Sequence, residues 1–386
     1  MKPPGLVKGR PRETHSYFAA TVHGLEDVLR AEMEQLGLQG LEPMEGGVWF
    51  EGDRADCYRA NLWLRTAGRI LWPVADFACR DVEELYQGAR RIDWPALMEP
   101  DHTFLVKVKA GDPPFTHSHF LAMKIKDAVA DRFRADTGQR PSVDTETPHH
   151  RIQAVIQDHR CYLSLDASGE PLFKRGYRVW TAQAPLKENL AAGLVLLSGW
   201  RGDRPLYDPF CGGGTLLIEA ALLAGNRAPG LFRERFGFMN WPDYNAALLK
   251  RLKKEAKAAA RPVGVPLWGA DKDPEMIAAA KENAQRAGLE GDIQFDTAEA
   301  ATFAPPPGPG TILTNPPYGH RMEEEADLTG LYKQLGDTLK QKSQGKQAWV
   351  FTLQGPLVKA VGLRAAKKTV LFNGPLECRL LQYDLY

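Results

Sequence analysis

"PLYDPFCGGGTLLIEAALLAG", residues 205–225, decides the fold. A short apolar run ends in Asp208-Pro209, three glycines follow at 212–214, and an apolar segment of helical length begins at Thr215. A strand that passes into a helix through glycines is the first half of a β-α-β crossover. The chain then repeats the move, with "PLWGAD" (266–271) before "PEMIAAAKENAQRAG" (274–288), then "IQFDTA" (293–298) and "GTILTNPP" (310–317). "KENLAAGLVLLSGW", 187–200, is a helix that precedes them. The alternation predicts an α/β fold, a doubly wound, Rossmann-like parallel sheet with helices on both faces. Ligands of such sheets sit at the carboxyl ends of the strands.

The strand ends carry the notable side chains. "DPFCGGGT", Asp208 to Thr215, fits neither the dinucleotide nor the P-loop fingerprint. Its glycines let backbone approach a ligand closely. With no lysine at the turn and an acid at its mouth, it suits a hydroxylated or cationic ligand better than a phosphate. Asp271 ends the next strand, where a carboxylate can accept both hydroxyls of a ribose. Asp273 precedes Pro274 and reads as a helix cap. Asp296 or Glu299, on the third strand, can accept from an adenine amine. These positions together describe a nucleoside with a ribose and a cationic or neutral tail, which S-adenosylmethionine satisfies and a dinucleotide does not.

The fourth strand ends in "NPPY", Asn315 to Tyr318, followed by Gly319. An exocyclic amine is a weak nucleophile because its lone pair is delocalised. The side-chain oxygen of Asn315 and the carbonyl of Pro316 can accept its two N–H bonds and free that lone pair for attack on a methyl sulfonium. Pro316 and Pro317 fix the approach, and Tyr318 can stack on a planar substrate. The competing reading is a proline-stiffened strand exit with a buried tyrosine.

Outward from this half the texture changes. Residues 1–16 read as a mobile tail. "YFAATVHGLEDVLRAEMEQLGLQGLEPMEGGVWFEG", 17–52, gives a β-α-β unit, and "ADCYRANLWLRTAGRILWPVADF", 55–77, a helix carrying Leu62, Leu64 and Ile70 inward. The arginines from Arg54 to Arg80 read as a solvated face. Residues 80–170 predict a second α+β domain that ends in a hairpin about Asp158-His159. "PLFKRGYRVWTAQAPL", 171–186, has a strand pattern with Trp180 and serves as the linker. Lys174, Arg175 and Arg178 on it, with the basic helix 250–257, form the candidate RNA-contact patches. His117, His119, His149 and His150 lack ligand partners at metal spacing, which favours loop histidines. Trp63, Trp72 and Trp94 read as core.

Composition limits the classes. The chain has 386 residues, 44% hydrophobic, 25% charged and 9% aromatic, which suits a globular protein of two or three domains. The net charge of +1 excludes a uniformly basic nucleic-acid binder. Residues 1–170 hold 21 Lys and Arg against 26 Asp and Glu, and residues 171–386 hold 28 against 22, so any nucleic-acid contact must be local. Five scattered cysteines argue against disulfides and zinc and for a reducing compartment. Without an apolar run of about 18 residues or a signal-like start, a cytoplasmic location is expected.

"DPFCGGGT" followed by "NPPY" resembles the class I S-adenosylmethionine-dependent amino-group methyltransferases, a pairing that leaves adenine N6, guanine N2 and protein glutamine open as targets. "FAATVHGLEDVLRAEMEQLG", "GRILWPV", "IDWPALM", "MKIKDAVADRFR", "LSLDASGEPLFKRGYR", "APLKENLAAGLVLLSGW" and "GNRAPGL" together resemble the bacterial RlmL-type 23S rRNA guanine-N2 methyltransferases, over nearly the whole chain from residue 17. The resemblance implies a ferredoxin-like domain at 17–75, a THUMP RNA-binding domain at 76–170, a linker at 171–186 and a class I methyltransferase domain at 187–386. It implies a monomer that forms N2-methylguanosine in RNA, with Asn315, Pro316, Pro317 and Tyr318 around the guanine. Asp208, Pro209, Cys211, Gly212, Gly214 and Thr215 would meet the methionine moiety, Asp271 the ribose and Glu299 the adenine, with Lys187, Glu188 and Asn189 closing the cofactor site. The family usually has Asp where this chain has Glu299. The enterobacterial form adds a second fused methyltransferase domain, so no second modification is implied here. A THUMP-bearing tRNA guanine-N2 methyltransferase shares the architecture, and a catalytically silent RNA-binding protein is the non-enzyme alternative.

Overall fold

In a computed structural model the structure describes residues 14–111, 115–178, 186–318 and 322–386, without the side chains of 322–327. Most of the tail, Trp180 and Gly319 lie outside these residues. The N-terminal half runs β1 (His15–Ala20), α1 (Glu26–Gln35), β2 (Gln39–Met44), β3 (Gly47–Gly52), α2 (Arg54–Trp63), β4 (Arg69–Ala78), α3 (Val82–Arg90), β5 (Phe104–Ala110), α4 (Ser118–Thr137), β6 (His150–Gln157) and β7 (Arg160–Asp166). The second half continues with α5 (Glu188–Leu197), β8 (Leu206–Asp208), α6 (Thr215–Ala224), α7 (Ala246–Ala258), β9 (Leu267–Asp271), α8 (Pro274–Arg286), β10 (Gln294–Thr297), β11 (Thr311–Thr314), α9 (Met322–Lys342), β12 (Gln347–Leu353), α10 (Pro356–Ala360), β13 (Lys367–Asn373) and β14 (Leu376–Asp384).

The first sheet has the order β2-β3-β1-β4-β7-β6-β5. β4 pairs with β1 on one side and β7 on the other, so both expected N-terminal units share one continuous sheet. The hairpin from β6 to β7 turns at Asp158 and His159, both at positive φ, as its two-residue loop requires. The expected helix over 55–77 is corrected: α2 stops at Trp63, and after a loop over 64–68 the chain continues as β4 from Arg69. Leu64 is extended at the C-cap, and Pro73 sits at a register shift of the strand, a place a helix interior would exclude at a cost of about 3 kcal/mol. No strand forms over 171–178 either, where Lys174 and Arg175 close turns on Pro171 and Phe173.

The second sheet has the order β10-β9-β8-β11-β12-β14-β13, parallel from β10 to β12 and antiparallel beyond. Its helix α6 is apolar nearly all round, with Leu217, Ile218, Ala220, Ala221 and Leu222 fully buried. Each large aliphatic chain contributes about 1.5–3 kcal/mol on burial. The order reverses between β8 and β11, which opens the crevice at their carboxyl ends.

The halves interlock. The buried Glu32 carboxylate accepts from the backbone N–H groups of Arg65 and Thr66. Arg65, itself buried, donates to the carbonyls of Leu222 and Arg227, and Arg175 donates to Arg65 O and pairs with Glu219 on α6. The chain between α6 and α7 leaves the second sheet, and its Phe236, Phe238 and Trp241 join the N-terminal core. There Tyr58 stacks on Phe238 at 4.1 Å.

Candidate active site

The glycine turn and the "NPPY" segment meet where the strand order reverses. Asp208, at the end of β8, is 1% exposed, and its Oδ1 accepts from Thr314 Oγ1 at 2.7 Å and from Phe210 N at 3.1 Å. Thr314 ends β11, so this bond crosses the switch point and sets Asn315 opposite the turn. Burial pushes the Asp208 carboxyl up to about 7, against the pull of the Thr314 hydrogen bond.

Beyond Asp208 the backbone turns back: Cys211 N donates to Ala270 O and Gly214 N to Cys211 O. Gly212 has φ +49 with open space where a Cβ would stand, so only glycine keeps this wall both turned and bare. Gly214 has φ +79, and a Cβ there would stand 2.9 Å from the Phe295 ring. Asp271 ties the turn to the next strand, with Oδ2 accepting from Gly212 N and Oδ1 from Asp273 N, each at 3.0 Å. Each oxygen keeps a second lone pair for a ligand. Asp273 caps α8 through Glu275 N, as its place before Pro274 suggests.

These groups line a cavity of about 420 Å³, a size suited to a small-molecule ligand. Pro209, Cys211, Gly212, Thr215, Asp271, Glu299, Asn315 and Pro317 reach it, with Asp208 beneath and Gly214 packed behind. Asn315 Oδ1 is buried without a partner among the described residues, an acceptor held ready in the cavity wall. The two third-strand acids separate: Asp296 accepts from Trp268 Nε1 and Gln294 Nε2 outside the cavity, while Glu299 lines it. Pro316 and Tyr318 are not part of the lining. The Tyr318 hydroxyl accepts from Asn373 Nδ2 at 3.0 Å, its ring stands edge-on to Phe351, and burial pushes it up to about 12.

Lys187, Glu188 and Asn189 stay outside the lining. Lys187 caps α5 with its amine over the Phe173 ring, and Asn189 Nδ2 donates to Thr66 O. The buried Glu188 pairs with Arg178 at 2.9 Å; burial raises its carboxyl and Arg178 opposes the rise. Arg178 reaches the cavity, donating to Leu186 O and Thr215 Oγ1. The sequence pattern groups Arg178 with Lys174 and Arg175 as a candidate RNA-contact patch. Arg178 is held inside, and Arg175 is 2% exposed against Glu219, so of the three only Lys174 is exposed. Likewise, of the arginines read as a solvated face, Arg65 is buried. Phe210, Lys272 and Met276 also line the cavity, and only their adjacency to Asp208 and Asp271 marked them in the sequence.

The cavity lining is compatible with S-adenosylmethionine: a bare glycine wall, an Asp271 carboxylate with lone pairs to spare, and a Glu299 carboxylate and an Asn315 amide oxygen that have no partner among the described residues. The profile of the RMKL-like methyltransferase domain matches residues 175–382, that of the THUMP domain 79–166, and that of the RlmL ferredoxin-like domain 16–71. A Synechocystis sp. chain, provisionally named RNA methyltransferase slr0064, is 42% identical over 97% of both chains. Among solved structures, SMU.472, a methyltransferase by provisional name complexed with SAH, superposes with a TM-score of 0.88 at 32% identity over 97% of this chain and 99% of that one. A Listeria monocytogenes chain described as a predicted N6-adenine-specific DNA methylase gives 0.86 at 32% over 97% of each. TrmN from Thermus thermophilus, at 22% identity and 0.67 over 96% of this chain and all of that one, shares the fold. Matched by all three domain profiles and similar to these proteins from end to end, the chain belongs to the RlmL-type THUMP-domain methyltransferases, class I enzymes that use S-adenosylmethionine.

Proposed function

We propose that the protein methylates RNA at the N2 amine of a guanine, with 23S rRNA as the substrate. The observation that carries the reading is Asn315 Oδ1, a buried acceptor without a partner among the described residues, on a residue that lines the cavity one position past the Thr314 that binds Asp208. The THUMP domain, and the provisional name of the Synechocystis relative, support RNA as the polymer.

When bound, S-adenosylmethionine supplies an electrophilic methyl group. Asp271 would hold the ribose diol, Glu299 would accept from the adenine amine, and the glycine turn from Asp208 to Thr215 would carry the methionine end. Asn315 Oδ1 and the Pro316 carbonyl accept the two N–H bonds of guanine N2 and draw its lone pair out of conjugation. The Tyr318 ring, fixed by Asn373 next to the lining residue Pro317, orients the base. The amine attacks without prior deprotonation, and the products are N2-methylguanosine, S-adenosylhomocysteine and a proton.

Tritiated methyl transfer onto separated 23S rRNA, tRNA and DNA, followed by nucleoside analysis, tests this. Label in N2-methylguanosine from 23S rRNA is expected. Label in that nucleoside from tRNA alone would move the substrate, and label in N6-methyladenosine would replace the amine, as the description of the Listeria relative would have it.

A further inference from the structure

A second cavity, of about 890 Å³, lies against the opposite end of the short segment that leads from β7 toward the cofactor site. Five parts of the chain enclose it: Arg69 on β4, Lys107 on β5, residues within 145–151, the turn 169–174, and residues within 235–240 of the catalytic half. Arg69, Lys107, Arg151, Lys174 and Arg235 line it against two acids, Glu146 and Glu170.

Some of these charges are spent. Arg69 pairs with Asp166, and Arg151 and Lys174 share Glu170. Lys107 and Arg235 are exposed and have no partner among the described residues. The wall is also fixed. The Arg233 guanidinium donates to the carbonyls of Ser168, Glu170, Pro171 and Lys174, which satisfies the oxygens of the turn from within the protein. His149 supplies an aromatic ring, stacked on His102 at 4.7 Å and held by Thr103 N donating to its Nδ1.

Free cations beside a fixed aromatic ring are the components of a single-strand nucleic-acid site: charges track the phosphates and the ring carries a base. Lys174 lines this cavity and Arg178 lines the cofactor cavity. They lie four positions apart, so their Cα atoms are at most about 14 Å apart. At roughly 3.4 Å per stacked nucleotide, about four nucleotides of one strand bridge that distance.

We infer that this cavity binds the single-stranded RNA flanking the target nucleotide, with phosphates at Lys107 and Arg235 and a base against His149. The inference rests on RNA being the substrate and adds where the strand runs.

Fluorescence anisotropy with a labelled single-stranded RNA and a matching duplex tests it, using the full chain and the double variant Lys107→Ala/Arg235→Ala. Both replaced side chains are exposed, and S-adenosylhomocysteine affinity by calorimetry should stay unchanged, which reports an intact fold. The variant should bind the single strand about tenfold more weakly, and its slope of log K against log salt should shrink by roughly 0.7 for each lost phosphate contact. His149→Ala should weaken binding with the salt slope intact. Equal affinity and slope in wild type and double variant overturn the proposal, as does competition by inorganic phosphate as strong as by a short oligonucleotide. If the wild type methylates RNA while the variant binds it unchanged, the strand path alone is wrong. If the wild type neither binds nor methylates RNA, the substrate reading falls with it.

Discussion

The two cavities of this protein are made of opposite materials. The cofactor cavity sets Asp271, Asp273 and Glu299 against Arg178 and Lys272 over the buried Asp208, whereas the second cavity sets five cations against two acids. The first suits a ligand that carries its own positive charge and the second a polyanion. A net charge of +1 conceals both, because opposite local fields cancel in the sum. The strip 174–178 is where they meet, and its two ends face different chemistry.

The largest effect that can break this contrast lies at the amide. Asn315→Ala should lower single-turnover methyl transfer by about 10²–10³, in the range found when one positioned polar group is removed from an active site, while leaving RNA affinity within about twofold. A loss below tenfold would show that the amine is not drawn out by that oxygen. Next comes the cofactor. Asp271→Asn should weaken S-adenosylhomocysteine by about 10–100-fold in calorimetry, the value of hydrogen bonds to a charged group, with no change in RNA affinity. Equal loss of both would mean that the two cavities are not independent.

Acidity gives a smaller test. The Asp208 carboxyl is raised to about 7 by burial, so the folded chain binds a proton that the unfolded chain has released between pH 4 and 7. Stability from this group therefore falls as pH rises through that window and is level above it. Asp208→Asn cannot titrate, so the Tm of the wild type should drop relative to the variant between pH 5 and pH 8. Parallel curves would show that the carboxyl stays ionised. The smallest effect is at Tyr318, whose Phe variant loses one hydrogen bond to Asn373 and should slow transfer by about fivefold, as about 1 kcal/mol of positioning predicts.

The strand-end motifs were legible because their chemistry is local. A glycine turn, an acid one strand later and an amide before two prolines keep their spacing whatever the rest of the chain does. Asp273 could be recognised as a cap from Pro274 alone. What the sequence hid was tertiary. Arg65 and Arg175 look like surface charges until the partners that bury them, Leu222, Arg227 and Glu219, are brought from far along the chain. The stretch 64–78 carries the helical spacing of a buried segment, yet Gly68, Ile70 and Pro73 give it to a strand that two domains share. Lys187 to Asn189 were assigned to the cofactor by resemblance. In the structure Asn189 ties α5 to Thr66 of the N-terminal half, Lys187 lies over Phe173, Glu188 pairs with Arg178, and Arg178 and Leu186 stand at the cavity.

The aromatic excursion between α6 and α7 ties the chain's thermodynamics together. Phe236, Phe238 and Trp241 are covalently part of the catalytic half and thermally part of the other, since Phe238 packs on Tyr58 of α2, Trp241 on Trp72 of β4, and Phe236 stacks on Phe238. Melting the N-terminal sheet strips that excursion, and the excursion hangs from the helix that follows the glycine turn. Heat should therefore take the molecule apart in one calorimetric transition, and a fragment beginning at residue 187 would present a row of orphaned rings to water.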